Sequence, residues 1–510
     1  MLKKNIGIYL LFLLVPARAV SQNVSSPYSI LGIGDIENND YGRYDGSGNA
    51  TVSRRDPWAY NASNPASLTA ILYKTMNFDF SFRGKVSRFR LVSADTLTQP
   101  TKDFVIKRVS LAFKLTPKTG IAFGLKPFSS MNYQFTTGAS VNNGDEVDYE
   151  KYVEGTGGIN QVYFSIGKEI IPRLSAGVTA SWQFGSLQNS IQYYSSGIGL
   201  DITKKQTDFY SGAGVKAGLQ YYSLPGKRWQ HTAGLTFTAY SNLKGERTVD
   251  YQESEVSIKT LPAENISFKM PMIASAGYSI ANRKGLSFNL QGNYQSWATQ
   301  KLDYRNTYIK DAYSVHAGME YSKQVRSSNT MKELYYLALG VRYEQSYIVI
   351  NNNHLNDYGI SIGGGKNVSR FLSLQASLGI GRRGSHSLQQ IQEDYYQFSA
   401  GLTLKDVQPL YLSPADATAA FNGGKLDAWV VWDPYVAIAE QHYQARVLAD
   451  TADKRLASSS YYLAWREFAN RHPGVLAAVL DELGKLTTWA GQHRDELAAI
   501  AAEATGIDAK

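Results

Sequence analysis
Apolar and polar residues alternate with a period of two along most of residues 76–404. In 107–115, Val109, Leu111, Phe113 and Leu115 interleave with Arg108, Ser110, Ala112 and Lys114. In 173–185, Leu174, Ala176, Val178, Ala180, Trp182 and Phe184 interleave with Ser, Gly, Thr and Gln, and 285–296, 370–381 and 395–404 read the same way. Successive side chains of a strand point to opposite faces, so this spacing predicts strands with one apolar and one polar face. A soluble sandwich also alternates; strand length and connections decide. The strands run about nine to fourteen residues where about five or six is usual, long enough to cross a bilayer when tilted. Short turns at 116–118, 170–172, 223–230, 282–284, 323–333 and 365–369 alternate with longer loops at 85–106, 129–160, 186–208, 241–270, 297–311, 345–356 and 382–394. That asymmetry predicts an all-β transmembrane barrel of the outer-membrane type.

Strands are expected at 76–84, 107–115, 119–128, 161–169, 173–185, 209–222, 231–240, 271–281, 285–296, 312–322, 334–344, 357–364, 370–381 and 395–404, about fourteen antiparallel strands closing without a free edge. An even count puts both barrel ends on one side, and both termini are expected in the periplasm. Tyrosine pairs at strand ends (193–194, 221–222, 335–336, 395–396) are expected in aromatic girdles at the lipid–water boundary. Lys3 and Lys4, the apolar run Ile6–Val15 and small residues at Ala17 and Ala19 read as a secretory signal over 1–22, too short to span a bilayer. Residues 23–74 lack alternation and precede the barrel of 75–404.

Composition sharpens this division. The 510 residues contain no cysteine, which excludes thiolate metal sites, disulfides and cysteine nucleophiles. The formal charge of +9 does not cluster; the longest basic runs are pairs such as Arg54-Arg55 and Arg382-Arg383, which argues against a nucleic-acid partner. From Lys405 onward the chain changes character: 22 of 106 residues are alanine, 5 are tyrosine, and 10 basic face 14 acidic residues. Segment 405–510 is therefore expected as a separate, mixed α/β piece. A helix should run from Pro414, capped by Ser413, to Gly423-Gly424. A buried strand should occupy 427–432, and further helices should follow from Pro473 and around Leu497 and Ile500.

Chemistry is scarce. Gly363-Gly364-Gly365-Lys366 has Ile360 where a phosphate loop needs glycine and Asn367 where it needs Ser or Thr, so it reads as a strand end and turn. The seven histidines have no ligand spacing, and His316 falls on the polar face of a strand, as a solvated lumen residue would. No catalytic residue, metal site or cofactor is expected; the protein reads as no enzyme.

Two resemblances follow from motifs. Ser26-Pro27-Tyr28-Ser29, Gly32-Ile33-Gly34-Asp35 and Asn64-Pro65-Ala66-Ser67-Leu68, ahead of fourteen strands, resemble the FadL-like long-chain fatty-acid transporter family of outer-membrane barrels. The resemblance implies that 23–74 is a plug inside the barrel, with Asn64, Pro65 and Ala66 as its motif, and that hydrophobic small molecules pass through or sideways into outer-membrane lipid. A plugged structural or secretion-associated barrel is the alternative; apolar inward positions would favour passage, and many inward positions are Ser, Gly, Gln, Asn and Thr. Such a barrel is expected to need the barrel-insertion machinery. The run Leu410-Tyr411-Leu412-Ser413-Pro414-Ala415-Asp416-Ala417, with Asp427-Ala428-Trp429 and Trp432-Asp433-Pro434-Tyr435, resembles the last third of aliphatic-sulfonate, taurine and nitrate-type solute-binding proteins of ABC importers. That implies Trp432 and Asp433 as ligand-facing positions, yet the opposite wall of the cleft is missing, so neither ligand binding nor importer contact is expected. The chain reads as a chimera.

Overall fold
A computed structural model describes residues 26–37, 42–73, 75–91, 100–142, 146–195, 200–223, 229–254, 256–298, 300–302, 306–327, 330–369, 371–405, 412–423, 426, 429–432, 435–443, 445–447 and 465–505. The expected signal segment lies outside them. The barrel strands are β1 (Met76–Arg90), β2 (Thr101–Thr116), β3 (Thr119–Ser130), β4 (Glu146–Ile171), β5 (Leu174–Ser195), β6 (Leu200–Tyr222), β7 (Trp229–Tyr240), β8 (Met272–Asn282), β9 (Leu286–Ser296), β10 (Ala312–Ser327), β11 (Thr330–Ile350), β12 (Asn353–Asn367), β13 (Leu372–Arg383) and β14 (Gln392–Lys405). Each pairs antiparallel with its sequence neighbour, and β14 closes on β1 from Asn77–Lys405 to Arg90–Gln392, giving a closed fourteen-strand barrel. Closure pairs the first strand with the last, so neither is left as an edge in lipid, where an unmet backbone group costs several kcal/mol. A sheet sealed in this way should resist detergent: unboiled protein is expected to migrate anomalously on a denaturing gel, and identical mobility before and after boiling would count against the barrel.

Period-two alternation puts the apolar set outside. Phe164, Val178, Leu235, Leu290, Leu337 and Ile360 are exposed on the outer face, while Ser165, Thr179, Gln183, Gln220 and Gln291 are buried inside. The tyrosine pairs are corrected by the same geometry. Adjacent strand residues face opposite sides, so Tyr335 and Tyr396 face outward while Tyr336 and Tyr395 are buried in the lumen. The outward tyrosines form two sets: Tyr221, Tyr278, Tyr321 and Tyr335 towards the short turns, and Tyr294, Tyr313, Tyr358 and Tyr396 towards the long loops. They bracket an apolar band, as girdles do in outer-membrane barrels.

Several strands outrun their expected bounds. β4, β5 and β6 reach 26, 22 and 23 residues and rise above the band at the long-loop end, where Tyr133–Asn142 adds to β4 and Leu243–Glu253 adds to β6. The expected turn at 323–333 is mostly strand, β10 continuing to Ser327 and β11 starting at Thr330.

The chain runs down the inside of this barrel before building its wall. The Ser26 amide donates to the Asn132 carbonyl, and the Tyr28 hydroxyl donates to the Ile391 carbonyl at 2.5 Å, both at the long-loop end. Asp35–Ile36 pairs with Ser130 and Ser129 of β3. A short 3₁₀ turn, Asp45–Ser47, lies against β10–β13, and a second, Pro65–Ala70, against β2–β6 near the short turns; β1 then begins at Met76. The first described residue is thus at the opposite end of the barrel from Met76 and Lys405, while the two ends of the barrel wall share a side.

Residues Met1–Pro409 and Leu410–Lys510 form two compact units. The described tail residues carry α1 (Pro414–Asn422), α2 (Tyr435–Tyr443), α3 (Arg466–Arg471), α4 (Pro473–Gln492) and α5 (Arg494–Thr505). Ser413 caps α1 by accepting from the Asp416 amide, and Pro473 opens α4, as the sequence predicts. The strand expected at 427–432 does not form over 429–432, and Val430 is 98% exposed. A strand needs a partner ladder to satisfy its backbone, and the described tail supplies none.

Candidate functional site
The lumen is where this chain concentrates its unusual side chains, and the N-terminal segment 42–73 fills the part towards the short turns. Asn64 opens the 3₁₀ turn: its Oδ1 accepts from the Ala66 amide at 3.0 Å, while its Nδ2 donates to the carbonyls of Val52 at 2.9 Å and Leu219 of β6 at 3.1 Å. Pro65 follows with its fixed φ and no N–H to satisfy, and its carbonyl lies over Gly167 of β4 and its backbone over Gly177 of β5. Farther up, Ser47 and Gly48 lie so close to Gly318 and Gly340 that a Cβ at either glycine would overlap the hatch backbone. The Asn64-Pro65-Ala66 motif therefore sits fully buried between hatch and wall.

Electrostatics lock this hatch in place. Arg43 Nε meets Asp56 Oδ2 at 2.5 Å, and its two terminal nitrogens reach Glu333 at 2.7 Å each, one of them also Glu320 of β10 at 2.8 Å. Arg54 reaches the same Glu320 oxygen at 2.8 Å. All five side chains are under 10% exposed. Arg43 also stacks 4.0 Å over Tyr336. Such a cluster holds only while every charge has its partner. Burial pushes the Asp56 carboxyl above its ordinary range, against the pull of Arg43. Burial likewise brings the neighbouring Arg55 guanidinium down to about 10, where it lies 4.0 Å over Tyr222. Asp45 is held differently, its Oδ2 accepting from Ser377 at 2.6 Å and Ser399 at 2.5 Å.

At the long-loop end the filling is apolar. Tyr28, Ile33, Phe128, Phe268, Trp297 and Tyr347 belong to one buried cluster, with Trp297 stacked on Tyr347 at 4.6 Å. Between this layer and the hatch lies a polar cavity of about 240 Å³, lined among others by Lys126, Lys216, Gln291, His316, Arg342 and Tyr395. His316 is no solvated lumen residue: it is buried, and its Nδ1 lies 2.8 Å from the Gly48 carbonyl. Gly363–Lys366 lies within β12, as a strand end. Among the described residues no group of His, Asp and Glu is disposed to hold a metal ion.

A family model described as BamG matches residues 1–408, four-fifths of the chain. The chain belongs to the BamG family. A second family model, the substrate-binding domain of ABC-type glycine betaine transport systems, matches 380–499 and so overlaps the BamG segment over its last strands. Over 110 residues the chain is 38% identical to a protein of Escherichia coli K12 named for aliphatic sulfonate binding, covering 22% of this chain and 34% of that protein. A Bacillus subtilis 168 protein of the same name is 30% identical over 105 residues, covering 21% and 32%. The chain thus spans about a third of the length of these relatives. Among solved structures, the Pseudomonas putida toluene transporter TodX aligns with a TM-score of 0.49 at 13% identity, over 74% of this chain and all of that one. A Pseudomonas aeruginosa FadL homologue aligns at 0.47 and 12%, over 73% and 98%. The BamG barrel joined to a partial binding-protein segment is the two-family organisation that the sequence suggested.

Of the residues singled out in sequence, Trp432 is exposed, its ring edge-on to Tyr435 at 6.5 Å, and Asp433 lies outside the described residues. Sequence reading missed the Arg43, Arg54, Asp56, Glu320 and Glu333 cluster. Glu320 falls in the inward register of β10 with Ser314 and His316, and an inward carboxylate in a spanning strand calls for a cation: that signal was present.

Proposed function
We propose that this BamG-family chain serves as a plugged outer-membrane barrel, a structural platform for assembly or secretion partners rather than an open pore. The observation that carries this reading is the buried Arg43–Asp56–Glu320–Glu333 cluster, which ties the hatch to β10 and β11. A continuous route for hydrophobic compounds would be lined with apolar groups; below the apolar layer at the long-loop end this lumen is lined with Ser, Thr, Gln and charged groups, and the hatch fills the part towards the short turns. In liposomes carrying the full chain, toluene and long-chain fatty acid are expected to enter no faster than in empty ones, and accelerated entry would overturn the reading. The second reading, passage of hydrophobic small molecules sideways into lipid, is favoured by one feature. β2 and β3 pair only from Val109–Leu125 to Thr116–Thr119, so the wall parts above that level.

The tail adds no transport or binding chemistry in this proposal. Its matched relatives are about three times longer, and its apolar Val430, Val475 and Leu480 stay exposed. Expression of residues 1–405 is expected to give equal or better membrane yield with the same gel behaviour. Loss of the barrel on truncation, or sulfonate binding by the full chain abolished at Trp432→Ala, would show that the tail contributes.

A further inference from the structure
The outer face at the short-turn end carries positive charge with no counter-charge beside it. Lys323 of β10 pairs with Tyr335 of β11, and Tyr335 pairs in turn with Lys366 of β12. Residues directly opposite one another share a face of the sheet. Tyr335 is one of the outward tyrosines, so the two lysines flank it on the lipid side. Lys284 joins them from the turn between β8 and β9: the carbonyl of the next residue, Gly285, accepts from the Ser322 amide at 2.8 Å, beside Lys323. A row of Lys284, Lys323, Tyr335 and Lys366 thus runs along the short-turn ends of β9 to β12. All three lysines are exposed, and among the described residues none has an ion-pair partner. Like charges on facing strands repel, so the bare row costs stability. The girdle at the long-loop end is arranged otherwise: there the outward Arg382 meets Asp394 at 2.5 Å.

We propose that this row holds the phosphate of an anionic phospholipid in the leaflet at the short-turn end. Outward tyrosines mark the level of the headgroups, and ammonium groups at that level bind phosphate through charge-assisted hydrogen bonds. The next outward row, Leu337, Gly364 and Ala376, is apolar and bare of side chain at Gly364, a lane along which an acyl chain can lie. Free phosphate shares the headgroup's chemistry but makes no use of that lane. An ethanolamine headgroup would bring a fourth ammonium to three, whereas a phosphoglycerol headgroup brings only negative charge. An acidic protein is disfavoured because the row faces sideways into the bilayer instead of out from the mouth. The proposal goes beyond the platform reading and stands whether or not hydrophobic compounds cross the wall.

The test uses the full chain in a non-ionic detergent, with lipid retention read by native mass spectrometry. The probes are phosphatidylglycerol, phosphatidylethanolamine, inorganic phosphate and a polyglutamate peptide. Phosphatidylglycerol should be retained at least about tenfold more than phosphatidylethanolamine, as three lysines at an anionic surface require. That preference should shrink as salt is raised. Lys284→Gln, Lys323→Gln and Lys366→Gln should each weaken it, and the three together should erase it. The three corresponding arginine changes together should keep it, and Lys168→Gln, on the outer face of β4, should leave it unchanged. In lipid-free detergent the triple glutamine chain should lose its anomalous gel band at the parental temperature or above, because the repulsion is gone; this separates lost binding from lost fold. Equal retention of the two lipids by the parental chain, or an undiminished preference in all the glutamine chains, would overturn the proposal. So would full displacement of the lipid by millimolar inorganic phosphate or by the acidic peptide.

Discussion

Deletion of residues 23–74 is expected to turn the closed barrel into an open one, raising the permeability of liposomes to small hydrophilic solutes at least about tenfold, as for water-filled barrels of comparable strand number. The wall survives this deletion because its ladder is complete without the hatch: β14 pairs with β1 along fourteen residue pairs, and the outer apolar face is untouched. The inward positions left behind are polar, among them Asp79, Ser81, Gln183, Gln220 and Gln291, and water will wet them. Glu320 and Glu333 lose Arg43 but gain hydration, so the charge they carry no longer demands a buried partner. Solute entry as slow as through empty vesicles, with the anomalous gel band retained, would remove the hatch as an obstruction.

Arg43→Ala should have the next largest effect. It leaves Asp56, Glu320 and Glu333 facing one another with Arg54 and, farther off, Lys405 as the remaining cations, in a site screened from water. Removing one partner of a buried ion cluster costs about 3–5 kcal/mol. The temperature at which the unboiled form converts to the boiled one should drop sharply, and the hatch should leak. A triple change, Arg43→Met with Glu320→Gln and Glu333→Gln, removes the stranded charges and should recover much of the loss. An Arg43→Ala protein that converts at the parental temperature would show that the cluster does not hold the hatch.

The wall of this protein was readable because one face must meet lipid and the other must not: period two leaves its mark on the stretches of strand that cross the apolar band. Strand ends were less readable for a physical reason. Above the apolar band both faces of a strand are solvated or hatch-covered, so Ser186–Ser195 carries no alternation and yet remains in β5. The hatch site was half visible. The Asn-Pro-Ala motif stands out by its turn chemistry, and its asparagine does cap a turn. Arg54-Arg55, by contrast, registers in sequence only as a short basic run, because nothing local reveals that Arg54 meets Glu320, 266 residues away. The tail fails in the opposite sense: Trp429–Trp432 has the composition of a buried strand, but burial is supplied by neighbours, and composition does not report their absence.

The path of the N-terminal segment also fixes an order of events. Its described residues descend from Ser26 at one mouth to Met76 at the other, inside a wall that is sealed by the last strand pairing with the first. A finished cylinder would have to be threaded from the mouth at Met76 to receive this segment, carrying Tyr28 and Ile33 through a polar lumen to the apolar layer of Trp297 and Tyr347. The segment must therefore settle onto an open, curling sheet, and the joining of β14 to β1 comes last. Whatever completes that seam in the membrane handles a sheet that already carries its cargo.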